Sequence, residues 1–293
     1  MADRSIGRRL FATVNGLFFI LFSLSCLVPM IHVLSVSLSS STAVAAGEVT
    51  IWPIGFTWKS YAYILNKTEY WRAMWISGLR VVLGTGVSML LTILVAYPLS
   101  KSREAFKHQP VFAWYLVITM LFSGGLIPSF MIVKYTGLLD TIWALILPGA
   151  VSVFNVLLLS NFFRNIPKEI EESAFMDGAG HFRILTQLYL ALSMPILATL
   201  IVFIAVGHWN AWFDGLIYMN NQVNYPLQSY LQTILVKSNS QVMTQAYAKL
   251  LSMVSDRTIK SAQVFIASIP ILCVYPFLQK YFISGIMLGS VKE

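Results

Sequence analysis

The stretch that decides the reading runs Ile166-Pro167-Lys168-Glu169-Ile170-Glu171-Glu172-Ser173-Ala174-Phe175-Met176-Asp177-Gly178-Ala179-Gly180-His181-Phe182-Arg183-Ile184-Leu185-Thr186-Gln187-Leu188-Tyr189-Leu190-Ala191-Leu192-Ser193-Met194-Pro195. It is a densely charged island between long apolar segments. Pro167 can open a helix, because its missing N–H falls where an N-terminal donor is unpaired anyway. Glu169, Glu171 and Glu172 crowd the first turns, where the helix dipole favours negative charge. Asp177-Gly178 stops that helix, since glycine tolerates the positive φ of a sharp end. A second helical run over 182–190 leads back toward apolar sequence. The pattern predicts a helix–turn–helix at a bilayer surface, shaped to be gripped from outside.

Composition supports a bilayer. The chain has 293 residues, 57% of them hydrophobic and 11% charged, against about 25% charged in soluble domains. Its mean hydropathy is +0.71. The net charge of +8 fits Lys and Arg gathered at the ends of spans, where they set orientation. No aromatic-basic motif of a nucleic-acid binder occurs, so no nucleic acid is expected as a partner. Cys26 and Cys273 sit inside apolar runs and read as small hydrophobes.

Working outward, six spans are expected, at about 10–36, 76–99, 110–133, 141–163, 192–218 and 261–283, in one all-α transmembrane domain with the loop at 164–191. The first apolar run is longer than the 7–15 residues of a signal-peptide core, so it reads as a retained helix. Thr57 is expected to cap a short helix over 58–65. Trp71 and Trp75 suit the interfacial belt. Gly124-Gly125 followed by Pro128 should break or kink the third span, and such backbone needs protein or a wet cavity around it. Amphipathic helical stretches are expected over 227–235 and 246–254, within a long segment at 219–260. Lys101, Arg103 and Lys107 follow the second span, and Arg164 and Lys168 the fourth. They place the 164–191 loop and both termini in the cytoplasm. Arg80, near the end of the second span, reads first as a side chain that snorkels to the interface.

Catalytic chemistry is hard to find. There is no phosphate-cradling G-x-x-x-x-G-K-[ST], no H-E-x-x-H, no C-x-x-C and no G-x-S-x-G. The His residues, His32, His108, His181 and His208, are scattered, so no metal site is expected. Asp214 is the one acid near a span interior, which disfavours a proton-driven carrier.

The loop resembles a known family. Glu172-Ser173-Ala174, then Asp177-Gly178-Ala179, then Ile184, are similar to the EAA loop of permease subunits in ABC-type importers. Ser173 stands where the family usually has Ala, and Ala191 where it usually has Pro. Further stretches resemble the carbohydrate branch of these permeases, including the subgroup for larger or acidic oligosaccharides such as alginate. They are 122–128, Ala144-Leu145-Ile146-Leu147-Pro148-Gly149, Phe154-Asn155, Trp209-Asn210-Ala211-Trp212-Phe213, Tyr225-Pro226-Leu227-Gln228 and 275–282. The resemblance implies a coupling helix carried by Glu171, Glu172, Ser173, Ala174, Asp177, Gly178 and Ala179. It implies a homologous second permease, two ATPase subunits that bind ATP and Mg, and a solute-binding protein outside. It places the chain in a bacterial inner membrane and assigns no catalytic residue to it. Sugars stack on aromatic faces and bridge planar amides, so Asn155, Trp209, Asn210, Trp212 and Asp214 are the candidate pathway residues. Helix glue for Asn155 and an interfacial belt for the tryptophans stay open as alternatives, and Arg80 could meet an acidic sugar instead of snorkelling. A stand-alone channel, in which the loop only joins spans, is the alternative of another class.

Overall fold

The computed structural model describes residues 6–237 and 256–290. Helices dominate, and no strand occurs among the described residues. The chain divides into two compact units, Met1–Tyr70 with Leu231–Pro270, and Trp71–Tyr230 with Ile271–Glu293.

The first unit is led by α1 (Ile6–Ser37). Its apolar side chains are open, with Leu10 at 66% and Phe18 at 60% exposure, as lipid-facing groups would be. The chain then folds back on the end of this helix through α2 (Ser41–Ala45). Ser35 Oγ donates to the Ile51 carbonyl, and Thr57 N–H donates to the Leu38 carbonyl at 2.8 Å. These bonds satisfy the extended 46–57 segment without a sheet. In α3 (Lys59–Leu65), Trp58 holds the N-cap position. Thr57 takes only a long bond from the Lys59 N–H, at 3.3 Å, so the cap expected of it is displaced by one residue.

The second unit is organised on α4 (Thr68–Ser100). This helix starts earlier than hydropathy implies and takes Trp71 and Trp75 into its first turns, both exposed. One face reads Ser77, Arg80, Gly84, Ser88, Thr92, spaced as one side of a helix. Each of these residues is buried. Small residues let other segments come close, and a Cβ on Gly84 would meet the His208 ring at 2.6 Å.

The next three apolar segments are bent pairs rather than single rods. The first pair is α5 (Gln109–Leu121) and α6 (Leu126–Tyr135), bent by 116°. The break expected at Gly124-Gly125 is therefore far sharper than a kink, and Gly125 has φ +88°. In the second pair, short 3-10 turns Ile142–Leu145 and Leu147–Gly149 meet α7 (Val153–Arg164) at 53°. Pro148 explains the tight turns, because it has no N–H and its ring clashes with a carbonyl four residues back. The third pair is α9 (His181–Leu192) and α10 (Met194–Asn210), bent by 84° at Ser193. Pro195 again removes a helical donor there. A further break at Ala211 and Trp212 separates α11 (Phe213–Tyr218). Among the described residues, two helices are long and apolar enough to cross a membrane, or up to five if each bent pair is one span.

Between α7 and α9 lies α8 (Lys168–Met176), with Pro167 at its N-cap position. After α11 comes α12 (Leu227–Lys237), within the stretch expected to be helical. The expected 246–254 helix lies outside the described residues. The last element is α13 (Asp256–Ser290).

Gly215 shows how closely α11 approaches α12. A Cβ there would fall 2.1 Å from Ser229 Oγ and 3.0 Å from Pro226 Cδ. Ser229 is itself fixed, donating to the Trp212 carbonyl at 2.7 Å. Gly215→Ala should therefore destabilise the protein by about 1–3 kcal/mol through overpacking. Gly86→Ala, where nothing lies within 4 Å, should be neutral or stabilising. Thermal unfolding of the two variants in detergent checks the contrast; equal melting temperatures would contradict the close approach.

Candidate functional site

Two features of the second unit bring functional side chains together. The first is the α8 turn. Asp177 caps the helix and Gly178 follows with φ +79°. Gly178 N–H donates to the Phe175 carbonyl at 2.9 Å, and Ala179 N–H to the Ala174 carbonyl at 3.0 Å. This pair of bonds is a Schellman motif, which closes the helix while satisfying its last carbonyls. Ala174 and Ala179 both pack against the apolar core of this unit. The outer side of the turn is open: Glu172, Ser173, Asp177 and Gly178 are exposed. Met176 is 88% and Phe182 74% exposed. An apolar groove of about 330 Å³ runs beside it, lined by Ile170, Ala174, Ala179, Ile184 and Leu188 among others.

The inner side is anchored by Glu171. Lys101 Nζ donates to Glu171 Oε1 at 2.5 Å, and Tyr189 Oη donates to Glu171 Oε2 at 2.7 Å. Tyr189 reaches this point because 184–189 winds as a π-helix, with Leu190 N–H donating to the Leu185 carbonyl. Five-residue spacing places Tyr189 on the side of Ile184, and both are buried. Tyr97 Oη also meets His181 Nδ1 at 3.2 Å. Burial pushes the Glu171 carboxyl up, but hydrogen bonds from Lys101 and Tyr189, with the Lys101 and His181 charges, hold it below the usual range. Burial lowers the Lys101 ammonium, against the pull of Glu171.

The second feature is a cavity of about 480 Å³. Arg80 and Ser88 face it from α4, Asn155 from α7, His208 from α10 and Asp214 from α11. Pro148, Gly149 and Ala150 add irregular backbone. Arg80 is 3% exposed. It pairs with Asp214 through both nitrogens of its fork, and donates to the carbonyls of Ala211 and Leu145, each at 3.3 Å. The expectation of a snorkelling side chain is thus corrected: Arg80 is turned inward because breaks in two spans leave carbonyls that need a donor. Arg80 Nε and Ser88 Oγ are buried with no hydrogen-bond partner among the described residues.

Of the candidate pathway residues, Asn155 and Asp214 line this cavity. Trp209 is buried at 9% exposure and does not line it. Asn210 is exposed, as is Trp212, which meets Phe213 edge-on at 5.6 Å. Ser88, Ser152 and His208 escaped the sequence reading. Small polar residues scattered in apolar runs carry little signal until packing puts them on one wall. Arg80 did carry one, since a charge inside a span is functional by default.

Broken apolar helices around a cavity that holds charged and amide side chains, beside a surface-presented helical turn, fit a membrane transport component. The chain belongs to the family of binding-protein-dependent transport system inner membrane components, whose pattern matches residues 104–288. It is 40% identical to the polygalacturonan/rhamnogalacturonan transport system permease protein YtcP of Bacillus subtilis, over 97% of this chain and 99% of that one. It is 37% identical to the protein LplC of the same organism, over 97% and 95%. A solved bacterial ABC transporter involved in the import of the acidic polysaccharide alginate contains a chain with a TM-score of 0.87 and 32% identity. That match covers 96% of this chain and all of its own.

Removing one partner of a buried ion pair leaves an uncompensated charge and costs about 3–5 kcal/mol. Asp214→Ala should therefore sharply reduce the folded protein recovered. Adding Arg80→Met should restore part of it, but not all, because the Leu145 and Ala211 carbonyls lose their donor. Yield of monodisperse protein for the single and double variants checks this order.

Glu171 makes a pH prediction. A carboxyl with a lowered folded pKa stabilises fully above its unfolded value, about 4.3, and loses that contribution as pH falls through the folded value. A fluorophore on Met176→Cys should report loosening of α8 below that pH. Glu171→Gln should abolish the acid-dependent change.

Proposed function

We propose that this chain is one of two permease subunits of an ATP-driven oligosaccharide importer. In this reading it has six spans, with both termini in the cytoplasm. The observation that carries the reading is the α8 turn: a helix anchored on its inner side by Glu171, with an exposed apolar tip at Phe175 and Met176. Such a surface suits a cleft on a partner, and the residues around it are those of the coupling loop. The partner is a pair of ATPase subunits that hold ATP and Mg, so hydrolysis takes place outside this chain. A homologous second permease completes the pathway. A solute-binding protein delivers the sugar and docks on the 219–260 segment.

Asn155 carries the sugar contact in this half of the pathway. It is 8% exposed, lines the cavity, and its side-chain amide makes no hydrogen bond among the described residues. An amide that opens onto a cavity can pair with a sugar hydroxyl or with water. Asn210 and Trp212, both exposed, are contacts at the face shared with the second permease. Trp209 is packing. Acidic oligosaccharides are the first substrates to test, because relatives are named for polygalacturonan and alginate. ATP-driven closure of the ATPases pulls on α8 and shifts the pathway between two packings of similar energy.

The experiment is uptake by vesicles holding the complete importer, with oligogalacturonate compared against neutral oligosaccharides. Asn155→Ala should slow uptake while the amount of assembled complex stays constant; lost assembly would instead make Asn155 helix glue. Gly178→Val has open space around it, so its cost is backbone strain alone, about 1–2 kcal/mol. It should weaken ATPase co-purification or uncouple hydrolysis from uptake. Normal attachment and normal uptake in Gly178→Val would sink the coupling role.

A further inference from the structure

We propose that Lys101 is the positioning residue through which movement of α8 passes to α4, and so to the cavity. The inference rests on the reading of α8 as the ATPase-contacting helix. Within α8 only Glu171 and Ala174 are not exposed. The helix therefore holds the rest of the protein through very few side chains, and Glu171 is the charged one. Its partner, Lys101, comes directly after the last residue of α4. Lys101 Nζ donates to Glu171 Oε1 at 2.5 Å and to Tyr189 Oη at 2.9 Å. It also lies 4.1 Å from the ring centre of Tyr97 and 4.2 Å from that of Tyr189. Those rings meet edge-on at 5.2 Å. The ammonium is thus caged by two aromatic faces, and the Lys101 side chain is only 10% exposed. Charge-assisted bonds and desolvated cation–π contacts are the strong members of their classes. One ammonium joins α4, α8 and α9.

Three routes lead from α8 to the cavity. One runs back through Asn165, Ile166 and Pro167 into α7, which carries Asn155 on the wall, and so reaches that wall without passing α4. The forward covalent route passes the Gly178 turn, the π-helical stretch and the 84° bend at Ser193. Each of these is a place where a displacement can be absorbed by backbone rotation. The route through Lys101 enters α4, which stays helical from Ser100, through Pro98 in its last turn, back to Ser88 and Arg80 on the cavity wall. At 1.5 Å per residue, that rod covers about 18–30 Å. A continuous helix carries a push or pull over such a distance better than three turns in series. The cavity wall on α4 therefore follows α8 for as long as the ammonium holds.

Lys101→Met keeps the stem and removes the ammonium. In the reconstituted importer, with its ATPase, second permease and binding protein, the ATPase should co-purify in normal amount. The sugar moved per ATP hydrolysed should fall about tenfold, the scale of one charge-assisted hydrogen bond. Lys101→Arg keeps the charge and stacks on aromatic faces, so it should restore most of the ratio. A merely structural lysine would change the yield of complex and leave the ratio alone. A normal ratio in Lys101→Met overturns the proposal. If that variant does not assemble, Tyr189→Phe decides, because it keeps the ring and removes one hydroxyl. A reduced ratio in Tyr189→Phe supports the link, and a normal one overturns it. Met176→Glu tests the underlying reading separately: unchanged ATPase attachment there rejects α8 as the contact helix, whatever Lys101 does.

Discussion

The buried guanidinium of Arg80 is the constraint on which the membrane part of this protein depends. In hydrocarbon, a break in a helix exposes carbonyls that water cannot reach, so irregular backbone survives only where protein or a wet cavity serves it. This chain breaks its apolar segments repeatedly. The 3-10 turn at Ile142–Leu145 and the end of α10 each leave carbonyls behind. Arg80 donates to one from each, Leu145 and Ala211. A cation near helix C-termini also answers the negative end of the dipole. Asp214 then balances the charge, since a lone buried guanidinium would be far more costly than the pair. The ion pair, the breaks and the cavity are therefore one arrangement.

At the α8 turn the same accounting is met without an ion. Gly178 takes the positive φ, and two backbone bonds close the helix. The consequence is a division of faces. Ala174 and Ala179 hold to the core, Glu171 is held by Lys101 and Tyr189, and Phe175 and Met176 stay open. The π-helical winding of 184–189 matters here, because regular α-helical spacing from Ile184 would present Leu188 in place of Tyr189. Without Tyr189 there, Glu171 would have one polar partner fewer and Lys101 would lack one wall of its cage. Lys101, directly after α4, bonds both Glu171 of α8 and Tyr189 of α9 there.

The positions of the apolar segments, the helix–turn–helix over 166–195 and the stop at Gly178 were legible in the residues. Each rests on a local rule: hydropathy, dipole-compatible charge, or the φ only glycine adopts freely. The bends were legible only in part. Gly124-Gly125 announced a break, whereas single prolines at 148 and 195 turned segments that hydropathy averages into rods. Hydropathy reports the solvent a segment sees and is blind to direction, so 141–163 and 192–218 looked continuous.

What the sequence determined by itself is that this chain lives in a bilayer and carries a charged helical turn between apolar segments. Composition and nearest-neighbour backbone preferences are enough for both. Only the tertiary structure decided which polar residues share a wall. Asn155 and Asp214 do, with Arg80, Ser88 and His208, while Trp209, Asn210 and Trp212 do not. Side-chain direction on a broken helix depends on where the break falls and by how much it turns. Those are set by long-range contacts such as Arg80 to Asp214, separated by 134 positions in sequence, which no local pattern encodes.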